Sequence, residues 1–213
     1  MTRHIPHLVV SAPWEDEQLR LSVIQWRHIT KVLRMNSGQE VTYTDGLGTI
    51  GHGTLGTQAV ERGEEEMVPR PSDLIVAVAP PENKDRQRFL VEKLAEIGVA
   101  KLIWLDTKHG KERVANPSKV FNWVLTAVEQ SRGAYLMETS PDLMRLEDMQ
   151  GRLVICHPGG EATPGDADVV AIGPEGGFAD EEIPPDARLW DLGATVLRVE
   201  TAAVVAAISM RRK

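Results

Sequence analysis

A single cysteine, Cys156, in a chain of 213 residues leaves no partner for an internal disulfide and no set for a multi-cysteine zinc site. Long apolar runs are missing too. The longest, residues 74–81 and 202–208, fall far short of the ~20 residues that span a bilayer as a helix. The first 13 residues carry no basic stretch ahead of an apolar core, so no secretory leader is expected. G-x-x-x-x-G-K-[ST], H-E-x-x-H and G-x-S-x-G are all absent, which removes the common nucleotide, zinc and hydrolase signatures. Nor is there an excess of basic charge. Against 31 Asp+Glu stand 24 Lys+Arg, a net charge of −7, which argues against binding nucleic acid by bulk charge alone. These absences together point to a reducing, cytoplasmic setting and to no membrane contact.

What is present suits a folded chain. At 42% hydrophobic and 26% charged residues the composition is globular, enough for one large domain or two small ones. Residues 84–113 carry eight Lys/Arg against five Asp/Glu, a local excess of +3. That excess fits a solvated mixed-charge surface and a functional patch equally well.

The strongest boundary lies at residues 62–73, RGEEEMVPRPSD, with three consecutive glutamates and two prolines. It reads as an exposed linker. Before it the texture is mostly β, with short apolar runs at residues 7–11 and 19–23. Residues 40–44 alternate, placing Val41 and Tyr43 on one face and Thr42 and Thr44 on the other. Asp45-Gly46 signals a hairpin. Between these runs, residues 25–35 read as a helix burying Trp26, Ile29, Val32 and Leu33, with Arg27, His28, Lys31 and Arg34 exposed. A small barrel-like β domain with one helix is expected, spanning residues 1–68.

After the linker, strands alternate with helices. Strands are expected at residues 74–79, 101–105, 153–156, 169–172 and 189–192. Helices are expected at residues 86–97, stopped by Gly98, and at 200–210. Another opens at Asn116-Pro117 and turns Val120, Phe121, Val124, Leu125 and Val128 inward. Residues 73–213 therefore read as an α/β domain with a mainly parallel sheet.

Gly46-Leu47-Gly48-Thr49-Ile50-Gly51 matches G-x-G-x-x-G literally. A hairpin signal precedes it and poor helix formers follow, so these are expected to be turn and bulge glycines of a β domain. Three other segments follow buried strands directly: Cys156-His157-Pro158-Gly159-Gly160, Gly173-Pro174-Glu175-Gly176-Gly177-Phe178, and residues 192–203, LGATVLRVETAA. The C-terminal edge of a parallel sheet is where open α/β folds bind ligands, and glycines let backbone approach them closely. Residue chemistry alone leaves two readings open, a small-molecule pocket or ordinary βα turns. Glu200 and Thr201 suit a helix start as capping residues.

The pair GPEGGF (173–178) and LGATVLRVETAA (192–203) resembles the RsmE-type 16S rRNA (uracil-N3)-methyltransferases of the SPOUT superfamily. The likeness continues in residues 28–34, HITKVLR, in Gly38, Asp45 and Gly46, in residues 84–99 and in residues 129–132, EQSR. It departs at Met137, at residues 108–113, KHGKER, and at Asn122 before Trp123. The resemblance implies a PUA-like RNA-binding β-barrel at residues 1–68. It also implies a methyltransferase domain at residues 73–213 that ends in a trefoil knot.

The implied cofactor is S-adenosylmethionine, held by His157 and Pro158, by Ile172, Gly173, Gly176 and Gly177, and by Leu192, Gly193, Leu197, Arg198, Glu200 and Thr201. Leu192 and Leu197 would flank the adenine. Arg198 would stabilise charge on the uracil carbonyls, with Glu175 or Glu200 taking the proton. Since the methyl donor is already activated, no metal is called for. Arg27, Lys31, Arg34, Lys84, Arg86, Lys111, Arg113 and Arg132 would hold RNA phosphates. The implied partners are 16S rRNA within the small ribosomal subunit and a second copy of the chain. The competing expectations are a SPOUT enzyme acting on another RNA, a non-catalytic RNA-binding protein, and an α/β enzyme for a phosphorylated metabolite.

Overall fold

The computed structural model describes residues 5–110 and 113–211. It divides into two compact units, Met1–Arg70 with Val128–Leu136, and Pro71–Ala127 with Met137–Lys213. Among the described residues no helix is long and apolar enough to cross a membrane.

The first unit holds β1 (His7–Val9), β2 (Gln18–Arg20), α1 (Val23–Arg27), β3 (Glu40–Thr44), β4 (Thr49–Leu55), β5 (Ala59–Glu61) and β6 (Glu65–Met67). These strands form one sheet in the order β1-β3-β4-β5-β2, with β6 also on β4. Val41 and Tyr43 project into a core with Leu8, Leu19, Ile29, Leu55 and Val60, as their alternation predicts. Gly46 and Gly48 lie in the turn between β3 and β4, where Asp45 accepts from the Leu47 and Thr49 amides. A strand follows this motif rather than the helix a dinucleotide fingerprint requires.

Two sequence expectations fail in this unit for identifiable reasons. The helix starts earlier, capped by Ser22, and at residue 28 passes into a π-helical turn, His28–Val32. The wider i→i+5 spacing, seen in Leu33 N donating to His28 O, turns Val32 and Leu33 out to solvent. Met35 packs on the core instead. The glutamate run also does not remain a free linker, because residues 65–67 pair as β6 along β4. Arg62 donates to both carboxylate oxygens of Glu65, and Tyr43 donates its hydroxyl to the same group.

The threonine face of β3 is buried as well, against the segment Val128–Leu136. Thr44 Oγ1 donates to Ala134 O, and Tyr135 donates its hydroxyl to Val68 O. Glu129, its carboxyl pushed up by burial, accepts from Val9 N. His7 is buried between Thr42 Oγ1 (2.8 Å) and Gly133 O (3.1 Å). Both contacts are satisfied by a neutral ring that donates from Nε2 and accepts at Nδ1.

The second unit contains β7 (Ile75–Val78), α2 (Lys84–Ile97), β8 (Lys101–Leu105), α3 (Pro117–Ser131), β9 (Glu138–Met144), β10 (Leu153–Glu161), β11 (Val169–Ile172), β12 (Arg188–Trp190) and α4 (Val199–Met210). Its last turn of α3, from Val128, belongs to the first unit. The six-stranded sheet has the order β12-β10-β11-β7-β8-β9, and every pairing is parallel. Every residue of β11 is buried, as a strand covered on both faces should be. On one face Ala77, Ile103, Leu105, Ile155, Ala171 and Phe178 cluster. The alanine-rich α4 packs on α2, β11 and β7, burying Ala202, Ala203, Ala206 and Ala207.

Strand β9, ETSPDLM, escapes detection from sequence because it is polar and contains Pro141. It lies at the sheet edge, where a proline costs no ladder bond, and the register shifts across it. Of the residues expected to face inward on α3, Val120, Val124 and Val128 are buried, whereas Phe121 is 49% exposed.

Burial holds the His7 imidazole below its usual range. The Gly133 carbonyl opposes that shift, and nearby Arg132 and His52 add to it. The unfolded chain therefore binds more protons than the folded one just below the ordinary value of ~6.5. Stability from this site is complete above that pH and declines as pH falls towards the folded value. Melting followed by tryptophan fluorescence from roughly pH 8 to 5 should show this decline in the wild type. His7→Gln should flatten that part of the slope, and equal slopes in both proteins would count against it.

Candidate functional site

Because all six strands of the second sheet run the same way, their C-terminal ends share one edge. Three loops leave that edge from the adjacent strands β10, β11 and β12. The first is a bulge rather than a terminal loop. Pairing continues to Glu161, and Cys156 and Glu161 both oppose Trp190, so residues 157–160 are extruded between them. The sequence reading ended this strand at Cys156. The second loop follows Ile172, where Gly177 N donates to Pro174 O and closes a turn, and Phe178 tucks back beside Gly173. The third runs from Asp191 to Arg198, the residue that precedes α4.

The three loops are held by polar pins that join distant parts of the chain. Asp191 accepts from Gly193 N through one oxygen and from Gly159 N through the other, both at 2.9 Å. These two backbone amides hold its carboxyl below the ordinary range. The second pin is Arg86 on α2. Its Nε and Nη2 engage both oxygens of Glu200 at 2.6–2.9 Å, and its Nη1 meets Glu175 Oε1 at 2.8 Å. Burial alone would push the Glu200 carboxyl up, but the Arg86 hydrogen bonds and charge outweigh it and hold the group below its usual value. His109, beyond the end of β8, adds a contact from Nδ1 to Gly177 O at 3.2 Å.

Gly159, Gly177 and Gly193, one in each loop, have φ of +78°, +73° and +129°. A Cβ at any of the three would meet no atom within 4 Å. Left-handed backbone there disfavours ordinary side chains, and the open space before it suits a ligand that touches main chain. Leu192 and Leu197 are half-buried beside these glycines in the chain, and His157 is half-buried while Pro158 is exposed. Cys156 lies at the end of this cradle with burial pushing its thiol up to about 12, so it stays protonated and unreactive at neutral pH.

The charged candidates separate clearly. The Arg198 side chain is exposed and forms no hydrogen bond or ion pair with any described residue. Arg86, expected among the phosphate-binding cations, has its guanidinium engaged by two carboxylates. In the first unit Arg27, Lys31 and Arg34 are exposed on or just after the helical segment, and Arg132 donates to Ile5 O. In the second unit Lys84 and Arg113 are exposed, whereas Lys111 lies outside the described residues. Thr201 is exposed on the first turn of α4.

A second open groove, of about 1190 Å³, is lined by Thr107, Arg145, Arg152, Glu181 and Arg188 among others, and shares no residue with the three loops. Its Arg145, Arg152 and Arg188 pair with Glu147, with Asp166 and Asp168, and with Glu161 respectively. Sequence reasoning missed Asp191 and the pinning role of Arg86. Half of Asp191 was legible, since Asp two residues before Gly favours a side-chain turn. Its contact to Gly159 spans 32 residues and is purely tertiary.

The RNA methyltransferase domain family matches residues 68–211. Ribosomal RNA small subunit methyltransferase E of Rickettsia conorii is 23% identical over 197 residues, 84% of this chain and 80% of the relative. Among solved structures, a putative methyltransferase of Legionella pneumophila, in complex with the cofactor SAM, is 25% identical. It superposes with a TM-score of 0.80 over 96% of each chain. A ribosomal RNA small subunit methyltransferase E of Neisseria gonorrhoeae, bound to S-adenosyl methionine, is 23% identical, with a TM-score of 0.82 over 98% of this chain and 97% of that one.

If Asp191 pins the first and third loops together, Asp191→Ala should free both amides at once. Hydrogen exchange should accelerate severalfold in peptides covering residues 157–160 and 191–195, with β7 and β11 unchanged. Acceleration in only one of the two loops would show that they are held independently.

Proposed function

The chain belongs to the RNA methyltransferase domain family, and on that premise we propose that it methylates N3 of a uridine in 16S ribosomal RNA, using S-adenosylmethionine. The observation that carries this reading is the glycine cradle at the sheet edge, with the exposed Arg198 following its third loop. Bound S-adenosylmethionine supplies a methyl group already activated on a positively charged sulfur. The three-loop backbone fits such a ligand, because main-chain amides and carbonyls can reach its base and ribose without side chains in the way.

Uracil N3 carries a proton and lies between two carbonyls, so it attacks well only as the anion. Arg198 offers a planar fork of donors to the charge that develops on those oxygens. The Arg86 pairing makes Glu200 a poor proton acceptor and assigns it to holding α4. Glu175 meets Arg86 through one oxygen only and its side chain is 58% exposed, so it is the better placed of the two for that task. Arg27, Lys31, Arg34, Lys84 and Arg113 supply phosphate contacts without reading sequence. The N-terminal sheet as an RNA-binding barrel, the C-terminal trefoil knot, a homodimer and a cytoplasmic location belong to the same proposal. The decisive experiment is mass spectrometry of ribosomal RNA from cells lacking the protein. Loss of one N3-methyluridine from 16S RNA supports the reading, and an unchanged 16S RNA overturns it.

Calorimetry should detect S-adenosylmethionine binding to the protein alone. Gly177→Val should abolish it while the circular dichroism spectrum persists, because a side chain there both enters the cradle and strains backbone at φ +73°. A folded variant with wild-type affinity would remove this loop from the site.

Arg198→Ala should lower turnover far more than cofactor affinity, since the interaction strengthens in the transition state. Loss of one well-placed donor costs about 2.7–4 kcal/mol, a factor of roughly 100–1000 in rate. Arg198→Lys should recover little of it. Near-wild-type turnover in Arg198→Ala, with only a lower melting temperature, would leave the residue a purely structural part.

A further inference from the structure

Arg86 reaches two carboxylates that are far apart in sequence and belong to different parts of the cradle. Glu175 sits inside the turn closed by Gly177 N and Pro174 O, so its position carries Gly176 and Gly177 with it. Glu200 stands two residues after Arg198 in the first turn of α4, so its position carries Arg198. The arginine's own backbone is held firmly. Its neighbour Gln87 is fully buried, donates to Pro81 O and Arg113 O, and accepts from Ala115 N.

A guanidinium is suited to this arrangement because its five donors lie in one plane and can serve two acceptors at once; an ammonium acts as a point charge. Exposure rises from the anchor outward. The Glu200 side chain is 9% exposed, Arg86 25% and Glu175 58%. The inner pair is therefore an anchor, and the outer pair a latch on the glycine-rich turn.

We infer that Arg86 is a positioning residue: by holding Glu175 and Glu200 on one guanidinium, it sets the glycine-rich turn against the start of α4 and so presets the affinity of the cradle for S-adenosylmethionine. The inference rests on the reading of that cradle as the cofactor site. It gives Arg86 no contact with either substrate.

The test is a double-mutant cycle on S-adenosylmethionine affinity, measured by calorimetry, with melting temperature recorded alongside. Glu175→Gln should weaken binding about two- to fivefold, the range an exposed ion pair supports, with melting nearly unchanged. Arg86→Lys, which keeps a charge against Glu200 but loses the second prong, should weaken binding to the same extent. The double variant should be no weaker than either single one. In turnover assays of Arg86→Lys, which leaves the Glu175 carboxylate in place, the KM for S-adenosylmethionine should rise more than kcat falls. Should Arg86→Lys fail to fold, the Glu175→Gln affinity still decides, because that substitution alters a mostly exposed side chain. Unchanged affinity in Glu175→Gln, or effects that multiply in the double variant, overturns the inference. Failure of the wild-type protein to bind S-adenosylmethionine overturns the functional reading and the inference with it.

Discussion

Parallel pairing throughout the second sheet is the constraint on which the rest of the structure depends. Val154 opposes Val170, Val170 opposes Val76 and Val76 opposes Leu102, so the strands begin together and run towards one edge. Each return to the starting edge requires a crossover, and each crossover begins with a loop at the same edge. Loops around residues 157, 173 and 192 therefore leave one edge of the sheet although they are separated along the chain. Strands buried on both faces carry almost no polar chemistry of their own, which confines function to those loops.

Where backbone brings the loops together, charge holds them. Asp191 fastens two loops through their amides, and Arg86 fastens a third to the start of α4. Each pin uses a multidentate group, a carboxylate with two oxygens or a guanidinium with two prongs, so that one side chain joins two segments. In an acidic chain the useful distinction among cations is which ones are already paired. Arg62, Arg86 and Arg152 are committed to neighbouring carboxylates, whereas Arg198, Arg27, Lys31 and Arg34 are exposed and form no ion pair with a described residue.

The first unit solves a different problem. Its strand β3 has Val41 and Tyr43 on one face and Thr42 and Thr44 on the other, and the threonine face is covered by residues 128–136 rather than by water. That covering works because polar groups meet polar groups: His7 with Thr42 and Gly133, Thr44 with Ala134, Glu129 with Val9. Buried polar atoms left unmatched would cost more than the burial gains, so nearly every one is paired. A segment of nine residues from the middle of the chain thereby belongs to a sheet made from its beginning.

Periodicity and local chemistry were enough to read the buried parallel strands, α2 with Gly98 at its end, the Thr/Val alternation of β3 and the three glycine loops. Each of these depends on side-chain pattern or on a residue's own backbone preference, and both are local properties. The resemblance of GPEGGF and LGATVLRVETAA to a methyltransferase family was likewise legible, since it rests on residue identity and spacing. The π-helical turn that exposes Val32 and Leu33 was not, because a pattern of 3.6 residues per turn describes only regular helix. Neither was β9, whose backbone pairs at an edge that tolerates Pro141, nor β6, whose glutamates read as a solvated run although Glu65 is held by Arg62 and Tyr43. Tertiary structure alone decided which charges would be partnered. The sequence suggested phosphate binding for Arg86 and charge stabilisation for Arg198, and only the packing of α2 beside α4 turns the first into a clamp. The reason is physical: hydrogen-bond geometry depends on ångström distances between segments, and separation along the chain does not encode them.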